Sequence, residues 1–193
     1  MFHLRTTIVA ICWIAWAVVW AGGWLYTIAR GPRTRRASVG WSSAAAIAAA
    51  LILTDRAFRN HDLLLVRGAP AAWVGAVLLM CGTAFTLWAR VVLGRMWSSA
   101  PSVKEGHELH TGGPYAVTRH PIYTGMLAMA LGTVFMDGHL RVVVGALAFL
   151  AYILVKVRTE ERLMLDTFGE RYVAYRKRTP QLIPGVRRSP ARP

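Results

Sequence analysis

Residues 69–89, APAAWVGAVLLMCGTAFTLWA, run for twenty-one positions without a charged side chain. A helix needs roughly 20 mostly apolar residues to cross about 30 Å of hydrocarbon, so this stretch reads as a membrane span. Thr7–Ala29 before it and Leu140–Val157 after it have the same character. Two weaker runs complete the set: Ser38–Thr54, short and rich in alanine, and Ile122–Met136, which needs its flanks, a tilt or a thinner bilayer. The whole chain agrees, since 55% apolar residues and a mean hydropathy of +0.39 over 193 residues exceed what a soluble domain carries. The reading is an all-α integral membrane protein of about five transmembrane helices, forming a single membrane domain over residues 1–193. Within it, 1–90 is an N-terminal three-helix part, 91–185 carries most of the polar residues, and 186–193 is a basic tail.

The first span is too long for a signal peptide and ends in Ala-Arg-Gly-Pro, without a small-residue cleavage pattern. Its Trp13, Trp16, Trp20 and Trp24 recur at intervals of three and four, which lines one helical face and reads as a packing or lipid-facing stripe. Small side chains dominate the second span and let helix backbones approach closely. Cys12 and Cys81 both fall within spans, so a disulfide framework and a CxxC metal site are excluded.

A net charge of +14 raises the question of nucleic acid, but the charges sort by topology instead. With five spans, 18 of the 23 Lys and Arg residues lie on one side, in 30–36, 90–119 and from Lys156 onward, leaving 5 on the other. The positive-inside rule then predicts an extracytoplasmic N-terminus and a cytoplasmic C-terminus, with membrane lipids rather than nucleic acid as partners.

Ionisable residues at membrane depth are costly and point to function. They concentrate in two places. In GGPYAVTRHPIYTG (112–125), Pro121 suits the first helical position, His120 leads the helix and Tyr123 follows three residues on. Arg119 and the helix N-terminus add positive potential suited to an anionic group. In KVRTEERL (156–163), Lys156 and Glu160 share a helix face while Glu161 is expected to point elsewhere. The stretch RTEERLMLDTFGERYVAYRKR (158–178) alternates charges with Leu163, Met164, Phe168, Tyr172 and Tyr175, as an amphipathic C-terminal helix ending before Pro180 would.

The order of these elements resembles the isoprenylcysteine carboxyl methyltransferase family and its phospholipid methyltransferase relatives. The resemblance covers roughly residues 93–185 and combines EGHELHTGGPY, RHPIY, an EE pair followed by FGERYVAY, and a closing LIP. It implies S-adenosyl-L-methionine as cofactor, held on the cytoplasmic side by His107, Glu108, Leu109, His110, Tyr115, His120, Pro121, Ile122, Tyr123 and Glu160. It also implies a lipophilic or prenylated substrate, with Lys156 standing where family members carry an arginine for the substrate carboxylate. Lys156, Arg119 and His120 are the expected catalytic residues. A lysine lacks the guanidinium fork, so a phospholipid amine, a lipophilic phenol or a thiol is an alternative acceptor. A reductase of the steroid 5α-reductase type, using NADPH, is the alternative of another class.

No GxGxxG turn is present, which excludes the Rossmann-like methyltransferase fold. HELH (107–110) is not the HExxH signature and no cysteine joins it, so no metal is expected.

Overall fold

The computed structural model describes residues 2–30, 34–37, 63–66, 68–96, 102–104 and 108–186. The described residues include six α-helices: α1 (Phe2–Arg30), α2 (Ala69–Leu93), α3 (Pro114–Val117), α4 (Pro121–Asp137), α5 (Leu140–Phe168) and α6 (Glu170–Arg178). The chain is a multi-pass helical membrane protein: α1, α2 and α5 are each long and apolar enough to span. Helix α4 corresponds to the weak run at 122–136. Its 17 residues rise about 26 Å, slightly less than a hydrocarbon core. The predicted span Ser38–Thr54 lies outside the described residues.

Helices α2 and α4 pack antiparallel at very short range, and glycines seven residues apart on each make this possible. A Cβ built on Gly75 would stand 2.7 Å from the carbonyl oxygen of Gly132, and one on Gly82 would stand 2.7 Å from that of Gly125. The helix backbones are therefore in direct contact, as small residues at membrane interfaces permit. Leu79 and Met129, both fully buried, fill the space between the two glycine pairs, with Cys12, Ala76 and Met136 around them. Ile8, Val9, Trp13 and Trp16 of α1 close this core. Trp13 donates its indole N–H to Thr133 Oγ1 at 3.1 Å, and Trp16 stacks on Trp20. The tryptophan stripe is thus a packing face, at least over Trp13 and Trp16.

The connections sort to the two ends of the bundle. At one end a short antiparallel ribbon pairs β1 (Thr34–Ala37) with β2 (Ser102–Lys104), joining the two polar loops expected on the same side. At the other end Leu65 N–H donates to Gly138 O and Leu140 N–H to Leu63 O, both at 2.8 Å. Residues 37 and 63 therefore stand at opposite ends.

The amphipathic segment after the last span is not one helix. Helix α5 continues unbroken from the span to Phe168, and Gly169 with φ of +50° turns the chain into α6. A side chain would be strained at that angle, so the break follows from the glycine.

Candidate active site

The site forms where α4 begins and α5 leaves the apolar bundle, at the β1–β2 end. Pro121 takes the first position of α4, where its missing N–H has no helical partner to lose, and His120 caps the helix with φ of −124°. The buried His120 ring lies between two carboxylates of α5: Nδ1 is 3.5 Å from Glu160 Oε2 and Nε2 is 3.5 Å from Glu161 Oε1. The second is an ion-pair approach without hydrogen-bond geometry, since Nε2 makes no hydrogen bond. Tyr123 stacks on the imidazole and donates its hydroxyl to Glu160 Oε1 at 2.5 Å. Burial opposes a charge on His120, yet the two carboxylates outweigh it and raise the imidazole pKa above its ordinary value.

Glu161 points to a different side of α5 from Glu160. Its side chain is only 10% exposed and faces Arg119, with Oε1 at 2.6 and 2.7 Å from two guanidinium nitrogens, while Arg176 approaches Oε2 at 3.8 Å. Consecutive helical residues diverge by about 100°, and here both directions are occupied. Helix α6 and residues 119–120 wrap the far side of α5 and enclose the second carboxylate.

Arg119 is held on several sides. Besides Glu161, its guanidinium donates to Thr179 O at 2.6 Å and to Arg176 O at 3.3 Å. The guanidinium thereby ties α5, α6 and the following segment to the start of α4. The Lys156 ammonium lies 5.7 Å from the Tyr123 ring centroid and 5.8 Å from that of Tyr152, within cation–π range of both.

The structure thus brings His120, Pro121, Tyr123, Lys156 and Glu160 together, with Ile122 accepting a hydrogen bond from Thr86 of α2 through its carbonyl. Tyr115 is buried beneath this group, and its carbonyl accepts the Tyr175 hydroxyl at 2.5 Å. His110 sits beside the Tyr115 ring, 6.4 Å between centroids, and its Nδ1 lies 3.1 Å from Glu108 O. Leu109 is half-buried and Glu108 exposed on the same approach. His107 lies outside the described residues. Sequence reasoning did not single out Tyr152, although it stands four residues before Lys156 on the same face, and it gave no role to 179–182 beyond Leu182 as the start of the LIP motif.

A multi-pass helical membrane protein with a carboxylate, imidazole and phenol cluster at one membrane edge is the class these features define. The family model for phospholipid methyltransferases matches residues 70–171, more than half of the chain, and the chain belongs to that family. Among its relatives are the cobalt-zinc-cadmium resistance protein CzcN of Cupriavidus metallidurans (37% identical, covering 58% of this chain and 51% of the relative) and protein-S-isoprenylcysteine O-methyltransferase B of Arabidopsis thaliana (28%, covering 58% of each). Methanethiol S-methyltransferase of Pseudomonas deceptionensis is 40% identical over 39% of this chain and 28% of its own length. The chain spans less than two thirds of each of these relatives. The solved structure of the eukaryotic intramembrane Ras methyltransferase ICMT shares the fold, with a TM-score of 0.55 at 21% identity over 75% of this chain and 52% of that one.

Proposed function

We propose that this chain is an S-adenosyl-L-methionine-dependent methyltransferase acting on a lipophilic acceptor at the membrane edge, with a prenylcysteine-like carboxylate as preferred acceptor. The observation that carries the reading is the convergence of His120, Tyr123 and Glu160 where α4 and α5 meet. The donor set suits the cofactor. Glu160 is 23% exposed at its side chain and so can accept from hydroxyl or ammonium groups, while His120 keeps a buried ring nitrogen without a hydrogen bond. His110, Tyr115 and Tyr123 offer aromatic surface beside them. When bound, the cofactor supplies an activated methyl group on a sulfonium.

The protein's own residues then orient the acceptor and exclude water. A carboxylate is ionised at neutral pH and needs no base. His120 lies between two carboxylates whose charge raises its pKa against the burial that lowers it. For an acceptor that must lose a proton, His120 and Glu160 are the candidates. A thiol acceptor is the second reading, favoured by the likeness to methanethiol S-methyltransferase, and Lys156 would serve a thiolate as it serves a carboxylate. Binding of S-adenosyl-L-methionine and NADPH measured side by side in detergent tests the class: saturable binding of NADPH alone would overturn it.

Lys156 sets the acceptor's charge. Methylation of a prenylated cysteine analogue is expected to persist in Lys156→Arg and to fall at least about tenfold in Lys156→Met, because a cation positions the anion for in-line attack. An unchanged rate in Lys156→Met at saturating cofactor would remove the anionic acceptor from the proposal.

The excess of Lys and Arg in 30–36, 90–119 and from 156 onward supports a cytoplasmic site and C-terminus, with the N-terminus outside. A reporter fused after Pro193 is expected to be active in the cytoplasm. Activity only outside would reverse this orientation.

A further inference from the structure

The FGERYVAY and LIP stretches have no place in the chemistry described so far, yet the structure ties both to the start of α4. Tyr172 and Tyr175, the two tyrosines of the first stretch, are buried against each other. The Tyr175 hydroxyl donates to Tyr115 O, and burial pushes the pKa of both phenols up. Beyond α6, three successive carbonyls then accept from the site loop. Pro180 O takes Arg119 N–H at 2.8 Å, Gln181 O takes His120 N–H at 3.2 Å, and Leu182 O takes Thr124 Oγ1 at 2.7 Å. Thr179 O takes the Arg119 guanidinium. These bonds join residues about sixty positions apart in sequence, and they reach Arg119 and His120, the two residues that lead into α4. A helix start has no intrahelical acceptor for such N–H groups, so the orientation of His120 depends on acceptors from elsewhere.

We infer that Thr179–Leu182 is a positioning clamp for the cofactor site: its backbone carbonyls set the direction of His120, and Arg119, held in the same clamp, sets Glu161. The inference rests on the reading of this edge as the cofactor site. Arg119 is accordingly a positioning residue. Because carbonyls do the holding, the clamp depends on register and not on side-chain identity at Gln181. Deleting one residue moves each later carbonyl by up to about 3.8 Å, past its donor.

The test uses the full chain in detergent with S-adenosylhomocysteine as the probe, together with amide hydrogen exchange at residues 119 and 120. Gln181→Ala is expected to bind within about twofold of the parent and to keep both amides protected. Deletion of Gln181 is expected to lose at least about tenfold in affinity and to expose both amides, while Leu79 and Met129 in the α2–α4 core stay protected. Parent-like binding and protection in the deletion would overturn the clamp, and so would a tenfold loss in Gln181→Ala. If the deletion also exposes the core, Arg119→Gln decides: faster exchange at His120 with an intact core upholds the clamp, and unchanged exchange overturns it. A parent that binds no S-adenosylhomocysteine would defeat the methyltransferase reading instead, and the exchange data would still decide the clamp.

Discussion

Glu160→Gln is expected to weaken cofactor binding ten- to a hundredfold while leaving the bundle as stable as the parent, whereas Glu161→Gln is expected to lower stability as well. Glu160 is partly exposed and holds the Tyr123 hydroxyl and one side of His120, so its loss removes a charge-assisted contact of roughly 1.5 to 3 kcal/mol. Glu161 is paired with Arg119, and both side chains are at most 10% exposed. Removing one partner of a buried pair strands the other charge, which costs about 3 to 5 kcal/mol. Thermal unfolding in detergent, read beside cofactor titration, separates the two. Equal melting temperatures for both variants would show that the Arg119–Glu161 bridge contributes nothing to stability.

Gly82→Leu is expected to abolish accumulation of folded protein, while Gly22→Ala is expected to be neutral. A Cβ at position 82 would meet the Gly125 carbonyl oxygen at 2.7 Å and the Met129 nitrogen at 2.9 Å, both backbone atoms that cannot move without separating α2 from α4. Overpacking a tight core costs typically about 1 to 3 kcal/mol even where side chains can shift, and here the whole interface must open. A Cβ at Gly22 meets nothing within 4 Å. The yield of monodisperse protein after solubilisation measures this, and a normal yield of Gly82→Leu would contradict the close approach of the two helices. The effect propagates to the site, because Thr86, one turn beyond Gly82, donates to Ile122 O in the first turn of α4.

The spans at 7–29, 69–89 and 140–157 and the leading position of His120 before Pro121 were legible in the sequence, because each rests on local chemistry. Apolar runs cannot be placed in water, and proline at a first helical position needs no neighbour to explain it. The glycine pairs at 75 and 82 and at 125 and 132 were also visible as spacings, but nothing local says that two such stripes face each other. Glu160 could be chosen from the family-like order of motifs, whereas Glu161 could not, since helical phase tells only that the two diverge.

By itself the sequence determined that this is a membrane protein of apolar helices with its polar residues gathered in its C-terminal half. That follows from the cost of exposing apolar side chains to water and charges to lipid, which acts residue by residue. Only the tertiary structure decided which charges satisfy one another. Arg119 pairs with Glu161 across 42 residues and reaches Thr179 across 60, and Lys156 turns to the faces of Tyr123 and Tyr152. Such pairings are set by which backbones approach and at what angle, and the angle here comes from the α2–α4 glycine contact and the turn at Gly169.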